Sequence, residues 1–410
     1  MSSATGRSIG LFGATLVGLG AIVGGGIFAL GGVAFAITGP SVILAFAING
    51  VIALLTVLSF AEMATAFPEN GGTYSFARKV FQVEAAFLVG WVVWFASIVA
   101  AALYALGFAS YAIVVLRAVA GGAPAWLAGA GAAKLLGAAA TAFYSFRLAR
   151  KAAGGGRFEM LAKMALFGVL IAAGAAALFG RPAAEVAAGF RPFFTAGSSG
   201  LLLATGLTFI ALQGFDLIAA AAGEVRDPRR NIPRAMLLSL ALALAIYLPL
   251  LFLVVAVGTP PGVGVAESAS GNPETLIADA ARVFLGDAGY WLVVVVALLA
   301  MLSALQANLF AASRVARAMA LDKTLPAFLA SVDARRGTPK RAVAAGALSG
   351  AAILAVTPDL AAAGAVASLI FLVSFALTHW ISILARLRTG RRTSGFRSPL
   401  FPLVPVAGGL

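Results

Sequence analysis

Two glycine-rich segments and one lysine are the residues whose type and spacing could do chemistry in this largely apolar chain. Gly24, Gly25 and Gly26 follow one another inside a hydrophobic stretch, and a second segment, TGLTFIALQGFD, ends at Asp216. Consecutive glycines permit φ values that an α-helix does not use, and each costs a helix about 1 kcal/mol relative to alanine. Lys163 lies in another apolar stretch, EMLAKMALFGVL. These features predict interrupted helices and a buried charge.

The composition indicates which kind of protein holds the two glycine-rich segments and Lys163. Hydrophobic residues make up 61% of the 410 residues and charged residues 11%. The apolar residues form blocks of about 20, the length that a helix needs to cross a bilayer. The composition therefore predicts an all-α polytopic membrane protein. The absence of cysteine excludes disulfides, a thiol nucleophile and cysteine-ligated metal.

We predict ten complete spans and the start of an eleventh near Leu400. Residues 1–385 would form the ten-helix core, with one repeat at about 9–180 and a second at about 200–385. Residues 386–410 would form a cytoplasmic loop and the start of a further helix in a chain that looks cut short. The spans are 9–36, 41–67, 86–116, 125–146, 159–180, 200–222, 234–258, 287–317, 341–358 and 361–385.

The distribution of charge predicts the orientation. The net charge is +14, but the basic residues lie in short loops between apolar blocks, a pattern that argues against nucleic-acid binding. Of the 29 Lys and Arg residues, 24 fall in loops or span ends on the side of the N-terminus and four on the opposite side, with Lys134 inside the fourth span. The positive-inside rule therefore predicts a multi-pass protein of the cell membrane with a cytoplasmic N-terminus.

The two glycine-rich segments occur in the first and the sixth spans, the opening spans of two five-span halves. Interrupted helices at matching positions are the best sequence indicator of a transporter site in an inverted repeat. Free N–H groups at the start of a half-helix would bind a carboxylate, and freed carbonyls of the second segment would suit an ammonium. The alternative is that the glycines serve close helix packing. The predicted substrate-binding residues are Ile22, Gly24, Gly25, Gly26, Ile27, Phe209, Ile210, Ala211, Gln213 and Gly214.

Four stretches in order resemble the amino acid–polyamine–organocation (APC) superfamily of permeases. GAIVGGGIFALGG (20–32) looks like its break in helix one, and SFAEMATAFPENGGTY (59–74) is similar to the signature that closes helix two. FIALQGFDLIAAAAGEVRDPRRNIP (209–233) resembles helix six of the ApcT-like and cationic amino-acid transporter branches. SRVARAMALDKTLP (313–326) is similar to the cytoplasmic end of helix eight.

The resemblance implies a LeuT-like five-plus-five inverted repeat and a permease that moves amino acids, with cationic amino acids and polyamines among the candidate substrates. The chain departs from the family pattern in two places. Gly223 and Glu224 stand where the family has two acidic residues, and Gln213 replaces a residue that is usually apolar. Both departures bear on which substrate the protein binds and not on the class of protein to which it belongs.

Lys163 is the predicted coupling residue. An ammonium inside a span is costly and indicates function, and burial disfavours its charged form, so such a lysine can gain and lose a proton. In the ApcT-like permeases, a lysine at the matching position of helix five replaces bound sodium, and Ser303 matches the nearby hydroxyl of helix eight. The resemblance thus implies proton coupling. The alternative is a snorkelling lysine four residues after Glu159.

Four further residues are predicted to take part in gating, namely Phe209, Phe215, Asp216 and Glu62. Each has a structural alternative: Asp216 could cap the interrupted helix, Glu62 could pair with Arg78 or Lys79, and the two phenylalanines could be plain lipid or core contacts. His379 is interpreted as a packing residue.

No catalytic residue, metal or cofactor is predicted. A membrane-embedded enzyme would need clustered catalytic groups, and a channel would need charge rings or filter segments; the sequence has neither pattern. A sodium-coupled symporter or an exchanger of the same fold remains the alternative.

Overall fold

The computed structural model describes residues 7–122, 124, 127, 129–150, 157–333, 337–389 and 395–410. Within these ranges the chain forms helices joined by turns, and no strand longer than the single bridge between Ile9 and Val225 occurs. The predicted all-α class is therefore confirmed. Five basic residues used to predict the orientation lie outside the described ranges: Lys151, Arg335, Arg336, Arg391 and Arg392.

The α-helices of the described residues are α1 (Leu11–Ile22), α2 (Gly25–Thr38), α3 (Val42–Ala66), α4 (Thr73–Val80), α5 (Val83–Val119), α6 (Ala130–Arg150), α7 (Arg157–Phe179), α8 (Ala183–Gly189), α9 (Gly197–Thr208), α10 (Asp216–Ala220), α11 (Pro228–Val257), α12 (Val265–Gly271), α13 (Leu276–Leu321), α14 (Lys340–Val356), α15 (Leu360–Thr389) and α16 (Leu403–Gly409). Short 3₁₀ segments join some of them.

Each of the ten predicted spans overlaps a described helix, although residues 125, 126 and 128 of the fourth span lie outside the described residues. Among the described residues, seven helical segments are long and apolar enough to cross a membrane, and the first of them, Leu11–Ala66, covers most of two predicted spans. The protein is thus a multi-pass membrane protein. The helices α6 and α14 are not among the seven, and α14 has only 17 residues. That these two helices also cross the membrane stays a prediction, as does the eleventh span where α16 lies.

The interrupted helices are held in the middle of the bundle. The helix α11 packs against α1 and α3, α13 packs along α5, and α15 contacts α5, α3 and α9. The helix α13 bends at Gly286, whose φ of 65° is outside the helical region. Irregular backbone is tolerated at membrane depth only where protein buries it or where it lines a water-filled cavity. The long apolar helices provide this burial for the interrupted ones.

The structure corrects the predicted pairing of Glu62. Its carboxylate accepts two hydrogen bonds from the Arg386 guanidinium, both 2.8 Å long, so it ties α3 to α15. Arg78 instead binds Asp322 at 2.9 Å, and Lys79 binds Glu69 at 3.0 Å. The prediction was wrong because the basic residues of α4 face the end of α13 and the loop before α4, while Glu62 faces α15.

The same Asp322 carboxylate accepts a 2.8 Å hydrogen bond from the Tyr74 hydroxyl, which fixes α4 to the end of α13. Burial raises the pKa of Tyr74 to about 12, so the phenol keeps its proton and remains a donor at neutral pH.

Candidate functional site

The first interruption lies between α1 and α2. Val23 leaves the helical region with ψ of 66°, and Gly24 has φ −128° and ψ −140°. The Gly24 N–H donates to the Ile22 carbonyl at 2.7 Å, and so not to the carbonyl of Gly20 one turn earlier. The break therefore frees backbone carbonyls at the end of α1. It also creates a new helix start at Gly25, where the first N–H groups have no partner within their own helix.

One freed carbonyl is bound by a residue that the sequence analysis did not single out. The Tyr247 hydroxyl of α11 donates a 2.6 Å hydrogen bond to the Ile22 carbonyl. The Tyr247 side chain is fully buried, and its bond gives the Ile22 carbonyl a second donor besides the Gly24 N–H, while the buried hydroxyl gains an acceptor. No periodicity or motif marks Tyr247, because its role depends on a contact 225 residues away.

The second interruption follows α9. Residues Phe209–Leu212 form a single 3₁₀ segment, Gln213 is extended, and Gly214 adopts φ +146°, after which α10 begins at Asp216. A φ of this sign and size favours glycine. The Ile210 carbonyl accepts a hydrogen bond of 3.1 Å from the Gln213 N–H. The predicted break therefore occurs at the expected residues, as a 3₁₀ turn and a kink.

The two interruptions are in direct contact. A Cβ added to Gly26 would lie 2.6 Å from the Ala211 Cα, and a Cβ added to Gly214 would lie 2.7 Å from the Ile22 backbone nitrogen. Real Cβ atoms do not approach other atoms so closely, so both positions require glycine for close packing. The structure thus brings the two predicted halves of the substrate site together.

Side chains from two neighbouring helices hold the second interruption in place. The Ser368 hydroxyl of α15 accepts a hydrogen bond from the Ile210 N–H at 3.1 Å and donates to the Leu207 carbonyl at 2.7 Å. The Asn49 amide of α3 donates to the Thr205 carbonyl at 2.9 Å. These partners replace hydrogen bonds that a continuous helix would form, and sequence patterns did not identify them.

Asp216 and Gln213 interact across the turn. The Gln213 amide donates to both carboxylate oxygens of Asp216, at 2.9 and 3.2 Å. The replacement of an apolar residue by Gln213 therefore provides a donor for the carboxylate. Because Asp216 is the first residue of α10, its negative charge also lies at the favourable end of a helix dipole.

The two predicted gating phenylalanines lie in an aromatic cluster. The ring centroid of Phe375 on α15 is 5.8 Å from that of Phe209 and 5.3 Å from that of Phe215. The Phe60 ring contacts Phe215 and Phe375 as well. Phe209 and Phe215 are both buried, so in this conformation they anchor the interrupted segment against α3 and α15.

Lys163 on α7 is buried, with 2% of its surface exposed. Its Nζ lies 3.4 Å from the Gly20 carbonyl oxygen and 3.3 Å from the Ser303 Oγ of α13. The Gly20 carbonyl is the acceptor that the break at Gly24 releases. The lysine thus joins three helices immediately beside the first interruption, and the structure brings together the predicted pair of Lys163 and Ser303.

A cavity of about 670 Å³ extends from this lysine to the face at which α1 begins, which we call the N-terminal face. Its walls are α1, the beginning of α7, the end of α10 and the second half of α13. Ala21, in the last turn of α1, and Lys163 line its deep end. In the middle of α2, Gly32 packs directly against the Pro273 backbone. The cavity opens toward the N-terminal face, and the predicted substrate-binding residues and Asp216 are not among the residues that line it. The charged side chains that line the cavity are those of Lys163, Glu224, Arg226 and Arg314, and Ser303 lines it as well.

Comparison with known proteins matches nearly the entire chain. A family model described as amino acid permease matches residues 9–408. The methylthioribose transporter of Bacillus subtilis is 28% identical over 99% of this chain and 87% of its own length. An uncharacterized transporter of Mycobacterium tuberculosis is 32% identical over 98% of this chain and 84% of its own length. A branched-chain amino acid permease of Bacillus subtilis is 26% identical over 81% of this chain and 71% of its own length.

Proposed function

Since the chain belongs to the amino acid permease family of the APC superfamily, we propose that it is a secondary active transporter that moves amino acids across the cell membrane by alternating access, coupled to protons. The N-terminal face would be cytoplasmic, as the positive-inside rule predicts. The branched-chain amino acid permease among its relatives supports an amino acid as the substrate.

The contact between the two interruptions supports a substrate site at this place. The start of α2 offers N–H groups and the positive end of a helix dipole to an α-carboxylate. The second interruption offers backbone carbonyls and the Asp216 carboxylate to an α-ammonium. A LeuT-like five-plus-five repeat would explain why both breaks fall in the opening helices of the two halves.

The observation that carries proton coupling is the position of Lys163 between Gly20 and Ser303. A protonated Lys163 can donate to both acceptors and hold α1, α7 and α13 together. The neutral amine has fewer donors and no charge, so these helices could separate. Burial of Lys163 and its contacts with two other helices disfavour a snorkelling lysine. An ammonium at this position also disfavours a sodium ion, the cation of the alternative symport mechanism, since like charges repel.

The Lys163→Met variant tests this coupling role. Methionine keeps an unbranched apolar chain but cannot carry a proton. We expect uptake of amino acid into proteoliposomes to lose its dependence on external pH between about pH 5 and 8, whereas the wild type takes up more at low pH. Lys79→Met is the matched control, because Lys79 forms an exposed ion pair with Glu69. An unchanged pH profile in Lys163→Met would refute the coupling role.

A further inference from the structure

The charges around the cavity narrow the substrate class, on the premise that the proposed transport function holds. Among the described residues that line the cavity, three are cationic, Lys163, Arg226 and Arg314, and one is a carboxylate, Glu224. The excess of positive over negative charge in this cleft focuses a positive potential on whatever passes through it. This cleft therefore repels an additional positive charge.

The geometry of the two arginines maintains this potential. The Arg314 Nε is buried and has no hydrogen-bond partner in the part of the chain that the structure describes, and its guanidinium lies 4.4 Å from the Phe310 ring centroid. The Arg226 Nε donates to a neutral acceptor, the Arg7 carbonyl, at 3.1 Å. Glu224 accepts a long hydrogen bond of 3.4 Å from the Asn70 amide. The single carboxylate thus faces three cations around the same cavity.

The interruptions provide one negative partner for one ammonium. Asp216 is the single carboxylate of the two interrupted segments, residues 19–28 and 209–216. The atoms that a Cβ on Gly25 would meet belong to Tyr104 and Met301, and those near Gly24 belong to Ala21, Ala300 and Ala304. A zwitterion needs one anion site and one cation site. The side chains packed on the first interruption are thus apolar or aromatic and offer no second carboxylate.

From these observations we propose that the permease selects neutral zwitterionic amino acids and discriminates against substrates with a second ammonium, such as lysine, arginine and polyamines. The α-carboxylate is attracted by the positive cavity and then by the start of α2. The α-ammonium is accepted beside Asp216. An extra positive charge is repelled along the cavity by Arg226 and Arg314 and finds no counterion at the break.

A panel of ligands tests this selectivity. Norleucine and lysine share a four-carbon side chain and differ in the terminal ammonium, so they form a matched pair; alanine, leucine, methionine, arginine and putrescine complete the panel. We measure thermal stabilisation of the purified protein and competition for uptake in proteoliposomes. The best ligand is expected to be neutral, with lysine at least tenfold weaker than norleucine.

A stronger effect of lysine, arginine or putrescine would overturn the substrate class but leave the transport function intact. If no amino acid in the panel binds or is transported, the proposed function itself fails.

Charge variants locate the source of the selectivity. Arg314→Gln and Arg226→Gln should each lower the preference for norleucine over lysine by about threefold, since a like charge at the cavity wall is removed. Glu224→Gln should raise the preference by a similar factor. Arg230→Gln is the control, because this exposed arginine lies on the same face and does not line the cavity. If Arg314→Gln does not fold, the exposed Arg226 carries the same test. Shifts of equal sign in the Arg226 and Glu224 variants, or none in either, would refute the electrostatic origin.

Discussion

At the scale of single residues, buried polar groups fix the scaffold through partners far away in the sequence. Glu62 is 4% exposed, and besides Arg386 its carboxylate accepts a 3.0 Å hydrogen bond from the Ser398 N–H. The Arg386 guanidinium also lies 4.1 Å from the Phe401 ring centroid. One carboxylate therefore connects α3, α15 and the segment that leads to α16.

The Glu62→Gln variant should destabilise the protein. Glutamine cannot accept the paired guanidinium bonds as an anion, and Arg386 would remain half-buried without its counterion. Removal of one partner of a buried ion pair costs about 3–5 kcal/mol, and we expect about 2 kcal/mol here because Arg386 is partly exposed. Thermal unfolding of the detergent-purified protein measures the change. Glu69→Gln, which breaks the exposed pair with Lys79, should have little effect. Equal melting temperatures of the Glu62→Gln variant and the wild type would contradict this role.

Sequence patterns predicted where such buried polar residues lie more accurately than which residues they contact. The buried Glu62 stood out as a carboxylate near the end of a span, but its partner lies 324 residues away. A nearby basic residue was therefore the wrong choice. Lys163 and Ser303, which are 140 residues apart, could be paired because the family resemblance supplied information that local pattern lacks.

At the scale of helices, the two interruptions work as one unit. Each break removes hydrogen bonds from its own helix, and other elements supply replacements: Tyr247 for the first, and Ser368 and Asn49 for the second. Glycine at positions 26 and 214 allows the backbones to touch. The site is thus built from backbone groups whose positions depend on close contact between α2 and the 3₁₀ segment.

The Gly26→Ala variant tests this dependence. Its methyl group would lie 2.6 Å from the Ala211 Cα and 2.9 Å from the Ala211 Cβ, so the two interrupted helices must move apart. We expect uptake to fall at least tenfold, because a shift of about 1 Å at a binding site can cost this much or more. Gly206→Ala is the control in α9, where an added Cβ meets nothing within 4 Å. The Gly206→Ala variant should retain uptake close to that of the wild type. Full uptake by Gly26→Ala would show that transport does not depend on close contact between the two interruptions.

The interruptions could be predicted because glycine runs act locally, through backbone freedom at the residues themselves. Their partners could not be predicted in this way, since Tyr247, Ser368 and Asn49 lie in ordinary apolar helices. The predicted gating residues Phe209 and Phe215 show the same limit. Aromatic side chains beside a break are consistent with a gate or an anchor, and only their packing on Phe375 shows their place in this conformation.

At the scale of the whole molecule, the apolar helices and the family relationship define a multi-pass amino acid permease. The face toward which its cavity opens bears on how this fold would transport a substrate. The cavity opens toward the N-terminal face. With the N-terminus in the cytoplasm, this conformation would be accessible from inside. The proposed alternating access would require a second conformation in which this cavity is closed.

Uptake by the wild-type protein in proteoliposomes tests proton-coupled amino acid transport most directly. An inward proton gradient is imposed in sodium-free buffer, and accumulation of radiolabelled neutral amino acids is followed with and without a protonophore. Our account predicts accumulation above the external concentration without sodium, and its collapse when the protonophore dissipates the gradient. Accumulation that requires sodium and does not respond to the protonophore would contradict proton coupling through Lys163.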